Sequence, residues 1–239
     1  MKALRIKAFQ ETACYTKPYA NKVTETYPLP PYATVKGMIH AVLKAEELIP
    51  MSLSIQGDYE TIIVDYRKTY FFGKKEFNMP IILDGLAVDT PTFSKMTSMP
   101  LYTHMLYNIN LVIHVQAEEP ILQSIYEAFK ENDSHVALGR HEDLLRIDEV
   151  SYVALKPLDL IAGTNLKHAM FIPSSAVVED ERSKGIPYLL NWTYQIKGGI
   201  REWHRIPSLY FTKGMLINDD LLCQPAYQDP EGYIVIWNV

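Results

Sequence analysis

The stretch 24–43, TETYPLPPYATVKGMIHAVL, places Lys36 and Gly37 in what reads as the first turn of an amphipathic helix. Helix N-termini favour acids over cations, and helix interiors disfavour glycine. With Thr34 as N-cap, Val35, Lys36 and Gly37 would present unpaired backbone N–H groups. Those donors and the helix dipole together form an anion site. A bound phosphate would turn Lys36 from a mild liability into a ligand, and Gly37 removes the side chain that would hold the phosphate away. The preceding prolines keep the incoming chain extended. The plainer alternative is a stiff lead-in to a core helix, and these residues alone leave both readings open.

A second candidate is LGRHEDLLRI, residues 138–147. Gly139 permits unusual backbone dihedrals, and the planar Arg140 guanidinium can fork onto a phosphate or a base edge. The alternative is a turn carrying a surface arginine. Metal chemistry has little to build on. The seven histidines are scattered, without CxxC or HxxxH spacing, and the nearest pair, His135 and His141, has no cysteine beside it. No phosphate-binding or dinucleotide glycine motif occurs, and Lys197-Gly198-Gly199 reads as a hairpin turn. No metal site and no cofactor are therefore expected.

The elements that must hold these residues follow from the patterning. Residues 2–9 alternate, with Leu4, Ile6 and Ala8 on one face and Arg5, Lys7 and Phe9 on the other, as a half-buried strand does. Residues 10–32 form a long irregular stretch rich in Tyr, Thr, Lys and Pro, a length that in a compact domain marks function or disorder. In the helix that follows, Val35, Met38, Ile39, Val42 and Leu43 make one apolar stripe. Ala33, Gly37, Ala41 and Ala45 make a second row without bulk, which another backbone or a ligand can approach closely. Residues 59–72 and 105–117 read as long strands, 119–130 as a helix with Pro120 at its first position, and 146–156 as a strand. Between them, 81–88 carries Asp84-Gly85, a type I′ hairpin signal flanked by Ile81, Ile82, Leu83 and Leu86.

The order strand, helix, strand, strand, helix, strand predicts an α+β fold of ferredoxin-like type, with helices on one face of an antiparallel sheet. The predicted domains are 1–160, with a hairpin insertion at about 74–104, and a small β-rich unit at 161–239. In the latter, 194–199, 208–211 and 232–237 read as short strands.

Bulk composition fits this picture. The 239 residues are 48% hydrophobic and 21% charged, ordinary for a globular chain. The net charge of −5 is uneven: residues 1–75 carry +4 and the remainder −9. Such asymmetry suits an electrostatic footprint on the first part, although ordinary surface variation explains it equally well. Cys14 and Cys223 suggest a reducing compartment. The alternating N-terminus does not read as a signal peptide, and no apolar run approaches the roughly 20 residues of a membrane span. The expected location is cytoplasmic, with no membrane partner.

Taken together, TYPLPPYATVKGMIHAVL after a basic first strand, VALGRHEDLLRIDEV, and GIREWHRIPSLYFTKG (199–214) resemble the fifth family of CRISPR-associated (Cas) proteins. They resemble most the form found in type I-B interference complexes. The resemblance covers nearly the whole chain; its proline-helix and LGR segments are the specific parts. It implies a repeat-associated (RAMP) protein with an RRM-related domain, a subunit of the Cascade surveillance complex that grips the 5′ handle of the CRISPR RNA. It implies three further partners: a backbone RAMP subunit met through a thumb hairpin (here 74–104), the large subunit, and target DNA through the complex. Carried over by position, Thr34, Lys36 and Gly37 would meet handle phosphates, with Gly139 and Arg140 facing them. Lys22, Tyr27 and Tyr32 match the segment beside the RNA, where aromatic side chains suit splayed bases. Arg67 and Lys68, with Arg5 and Lys7, are added from strand geometry.

One branch of that family, in type I-C systems, cuts precursor RNA without metal, using a tyrosine, a lysine and a histidine. Such chemistry needs a base for the 2′-OH and an acid for the leaving 5′-oxygen. Here His104 is the one histidine placed for it, and no lysine adjoins it in YTHML. A non-catalytic subunit is therefore expected, with metal-independent endoribonuclease activity as the alternative. A ferredoxin-like small-molecule enzyme is the third reading, because fold alone does not fix function.

Overall fold

The structure is a computed structural model that describes residues 1–20, 22–72 and 96–239. In chain order its first part contains β1 (Lys2–Ala13), β2 (Val23–Thr24), α1 (Tyr32–Val42), β3 (Ser52–Asp58), β4 (Thr61–Phe72), β5 (Met96–Gln116), α2 (Glu119–Glu131), β6 (Val136–Ala137) and β7 (Leu144–Ala154). Its second part contains β8 (Lys156–Pro157), β9 (Thr164–Asn165), β10 (Ala169–Pro173), β11 (Ile186–Lys197), β12 (Ile200–Phe211), β13 (Leu216–Ile217), β14 (Tyr227–Gln228) and β15 (Ile234–Val235). The molecule is mixed α and β, mostly sheet with few helices.

Alternation in β1 decides which way the sheet faces. Leu4, Ile6 and Ala8 join Leu53, Ile55, Leu111, Ile113 and Val115 in one buried layer. Onto it pack Val35, Met38 and Ile39 from α1 and Leu122, Ile125 and Phe129 from α2. Full burial of one such aliphatic side chain is worth about 1.5–3 kcal/mol. A lysine near a helix N-terminus costs only a few tenths, so packing fixes where α1 lies. The main sheet runs β11-β12-β10-β3-β5-β1-β7-β6, continuing across residue 160 through antiparallel pairing of β10 with β3. A second core cluster, including Met170, Ile172, Phe211, Ile217 and Ile234, belongs to the later strands.

The opposite face of β1, β3 and β5 is polar, yet it is also covered. Residues from the end of the chain lie on it: Gln56 Nε2 donates to Ile234 O at 2.8 Å, Ser54 Oγ accepts from Ile236 N, and Asn238 Oδ1 accepts from Leu53 N. Arg5, only 4% exposed, donates to Asp229 at 2.7 Å, Glu149 at 2.7 Å and Glu231 at 2.5 Å. The basic face of the first strand is therefore an internal ion-pair network, not a nucleic-acid surface, and Lys7 joins it through Glu149 and Glu231.

Two expectations need correction. The sheet strand after α1 is β3, not 59–72; its polar Ser54 and Gln56 hide the strand from a hydrophobicity pattern, and both are buried against backbone groups of 234–236. Among the described residues, 61–72 instead pair only with the first half of β5, from Thr61↔Tyr107 to Phe72↔Met96, as a long ribbon that β2 joins in parallel at Tyr102 and Thr103 of β5. β5, at 21 residues, thus serves both ribbon and sheet. It bends between them at Asn108, where φ is +56° and the side-chain amide donates to Glu60. The ribbon exposes Ile62, Val64, Tyr66 and Tyr102. The Asp84-Gly85 turn and its flanking aliphatics lie outside the described residues, as does most of 74–104.

Candidate nucleic-acid interface

α1 begins three residues earlier than expected. Pro31 is the N-cap, and its carbonyl accepts from the N–H groups of Thr34 at 2.9 Å and Val35 at 3.2 Å. Thr34 is thus inside the first turn, and the N–H groups of Lys36 and Gly37 belong to the helix's own ladder. The anion cradle built on Thr34 as N-cap does not form. The Lys36 side chain is 8% exposed. Its Nζ donates to Trp192 O at 2.6 Å and lies 4.2 Å from the centre of the Trp192 ring. Burial lowers its pKa from 10.5 to about 8. Lys36 therefore fastens α1 to β11.

Arg140 is likewise committed. It donates through Nε and Nη2 to Asp143, at 3.1 and 2.7 Å, and its backbone N–H donates to the same carboxylate. Asp143, 1% exposed, also accepts from Cys14 N at 3.0 Å. The hydrogen bond to Asp143 raises the Arg140 pKa above its ordinary value. Gly139 sits at φ +113°, and a Cβ there would come within 2.8 Å of Asp143 Oδ2. The LGR segment is a stapled turn. Arg67 pairs with Asp65 and reaches Glu142 at 3.3 Å beside that turn, while Lys68 is exposed on the ribbon over Tyr70.

The lead-in residues divide. Tyr32 is fully buried among Phe171 and Trp192, and burial raises its pKa, so it is a core residue and not a stacking platform. Lys22 is exposed, and its carbonyl accepts from Tyr102 N at 2.9 Å, tying the loop to the ribbon base. Tyr27 is half-buried against Tyr188, with ring centres 5.6 Å apart. His104 is half-exposed on the ribbon, paired across from Val64.

What the structure does assemble lies between α1 and the β11–β12 hairpin. Gly198 and Gly199, at φ +57° and +77°, close that hairpin in the two-residue turn the sequence predicts. On β12, Arg201, Trp203 and Arg205 alternate, so they share one face. A shallow cavity of about 290 Å³ holds Tyr27, Pro31, Ala33 and Thr34 against Asn191 and Trp203. It meets, at Ala33 and Trp203, a larger groove of about 590 Å³ lined by Lys36, Gly37, Trp192, Tyr194 and Arg201. The two form one trough along the helix. The row without bulk, Ala33, Gly37 and Ala45, faces it. Arg201 lies over Tyr194 at 4.6 Å, and neighbouring Glu202 pairs with Lys197. Arg205 is exposed near Tyr27, whose pKa is raised by burial against the opposing pull of Lys17 and, less, of Arg205. Trp203, Arg201 and Arg205 were missed from sequence, although Arg-x-Trp-x-Arg at strand spacing was a readable signal. Among the described residues no three metal-ligating side chains cluster, and no helix is long and apolar enough to cross a membrane.

This chain resembles several solved structures. A chain of a CRISPR RNA-guided surveillance complex aligns with a TM-score of 0.51 at 10% identity, over 90% of this chain and 91% of that one. A CRISPR protein from Archaeoglobus fulgidus aligns with a TM-score of 0.46 at 9% identity, over 98% of each. No curated protein sequence matches. The profile of the CRISPR-associated protein family (Cas_Cas5), however, matches residues 3–202. With that match spanning most of its length, the chain belongs to the CRISPR-associated Cas_Cas5 family.

Proposed function

We propose that this protein is a non-catalytic subunit of a type I-B-like Cascade complex that grips the 5′ handle of the CRISPR RNA. The observation that carries the reading is the trough: Arg201 and Trp203 of β12, with Arg205 exposed farther along the same strand face, set against a smooth helix wall. Single-stranded RNA binds such surfaces by stacking bases on aromatics while cations follow the backbone. Family membership supports the assembly. So does the topology, since β1, α1, β3, β5, α2 and β7 run in ferredoxin-like order with strands arranged β3-β5-β1-β7. The β4–β5 ribbon, with Ile62, Val64, Tyr66 and Tyr102 exposed, is the thumb-like element through which the backbone subunit would dock. The large subunit and target DNA join through the assembled complex.

The test is fluorescence polarisation of a labelled handle RNA with the full chain. Arg201→Glu and Arg205→Glu should each weaken binding, with the salt slope falling by about one charge per lost phosphate contact. Full affinity in both variants would refute the placement. Repeat RNA incubated with the protein in EDTA should remain intact; specific cleavage lost in His104→Ala would establish the nuclease instead.

A further inference from the structure

The larger groove is more particular than a general RNA track needs to be. At about 590 Å³ it falls in the range that encloses whole small ligands and exceeds a single nucleobase. Trp203 and Tyr194, ring centres 5.1 Å apart and nearly edge to face, form one wall. The opposite wall is α1 at Gly37, where even an added Cβ would touch nothing within 4 Å, so a flat ring can lie against the helix. At the floor is Lys36 Nζ. An ammonium carries three N–H donors, and Trp192 O takes one, leaving two for a ligand.

The rim is acidic: Glu46 and Glu47 both line the groove, and neither forms an ion pair among the described residues. Their turn is held by His40, whose Nδ1 meets Lys36 O at 2.8 Å and whose Nε2 accepts from Ile49 N at 3.0 Å. Those two bonds require the neutral imidazole with its proton on Nδ1. The rim carboxylates are therefore positioned by a latch to the same helix that presents the lysine.

Aromatic walls, a carboxylate rim and an ammonium floor make a donor–acceptor pattern. Among the four RNA bases, guanine alone offers two adjacent donors, N1–H and N2–H, for a carboxylate, beside an acceptor, O6, for an ammonium. Adenine and cytosine present one donor group next to acceptors, and uracil one N–H between two carbonyls. We propose that this groove is a subsite for a single unstacked guanine of the bound RNA, stacked on Trp203 and read by Glu46 or Glu47 and by Lys36. The proposal rests on the RNA-binding reading above and adds a base preference to it.

The experiment uses the full chain, labelled hexauridylate, and the same hexamer with one internal guanosine. The guanosine should raise affinity about tenfold or more, the discrimination expected of a bidentate base contact. Inosine in its place, lacking the N2 amino group, should lose most of that gain. The double variant Glu46→Gln, Glu47→Gln should bind both hexamers alike while still binding hexauridylate. Trp203→Ala should weaken guanosine-hexamer binding about 5- to 150-fold, as loss of a base-stacking aromatic does. Trp203→Phe, which keeps a stacking ring, should retain most of the affinity and guards against a folding defect. Binding of both hexamers with equal affinity would overturn the guanine subsite and leave the RNA reading standing. Binding of neither would overturn both.

Discussion

Lys36→Met isolates the one buried lysine that the sequence assigns to phosphate and the structure assigns to the α1–β11 contact. The variant keeps the length of the apolar stem and removes the charge. The wild-type ammonium has its pKa lowered from 10.5 to about 8 by burial. A lowered lysine pKa means the folded state binds fewer protons than the unfolded state between those values, so stability rises with pH there. At about 1.4 kcal/mol per pH unit the full effect is about 3.5 kcal/mol, and water in the open groove reduces it to about 2 kcal/mol. At pH 7 the variant escapes that penalty but leaves the Trp192 carbonyl unpaired, at about 1–3 kcal/mol. The two nearly offset, so both proteins should have similar stability at pH 7. By pH 10 the wild type should lead by about 2 kcal/mol, because its neutral amine still donates to Trp192 O. Guanidinium unfolding of both proteins at pH 7, 8, 9 and 10 measures this, and taking the difference cancels the other titrating groups. A difference that stays flat with pH, or a wild type that loses ground, would show that the Lys36 ammonium is not buried against Trp192.

Three other outcomes are expected. Arg140→Glu sets a carboxylate against buried Asp143 and should lower stability by about 3 kcal/mol, a fall in Tm of about 6–12 °C by calorimetry; an unchanged Tm would refute the stapled turn. Gly139→Ala forces an L residue to φ +113° with its Cβ against Asp143, so thermal unfolding should show about 1–3 kcal/mol of destabilisation, and none would place the turn differently. Burial alone would raise the pKa of Asp229, but hydrogen bonds from His114 and Arg5 hold it below its ordinary value, so its contribution is lost as pH falls below about 4. Asp229→Asn should therefore cost about 3–5 kcal/mol at neutral pH and flatten the acid limb of the stability curve; a curve that keeps the wild-type acid limb would contradict the pairing with Arg5.

What could be read from sequence was local. The stripe Val35, Met38, Ile39 is buried on α1, Pro120 opens α2 with Leu122, Ile125 and Phe129 inward, and the two glycines at 198–199 turn a hairpin. Each depends on periodicity or on one residue's dihedral preference. What escaped was set by partners far along the chain. Thr34 is a better capping residue than Pro31 in isolation, but burial of Tyr32 and Val35 pulls the helix start back over it. Arg5 reads as a surface cation until Asp229 arrives beside it. Ser54 and Gln56 read as solvent-facing until the backbone of 234–236 covers them. In the candidate site the sequence pointed to the α1 side of the groove but to donors that the structure commits elsewhere, because the opposing wall comes from β11 and β12. The regular spacing of Arg201, Trp203 and Arg205 was visible, yet only their position across from Gly37 makes it informative.

The covering of the first strands by the end of the chain also has a temporal meaning. Arg5 leaves the ribosome 224 residues before Asp229. At about 5–20 residues per second, that separation lasts roughly 10–45 s. Once β5 and β7 have been made, the nascent sheet holds Gln56 and His114 on a face destined for the interior with water in place of their later partners, and Arg5 has Glu149 but not yet Asp229 or Glu231. The sheet therefore cannot dry on that side until residues 229–236 have been made, and burial of the earliest strands is timed by their arrival.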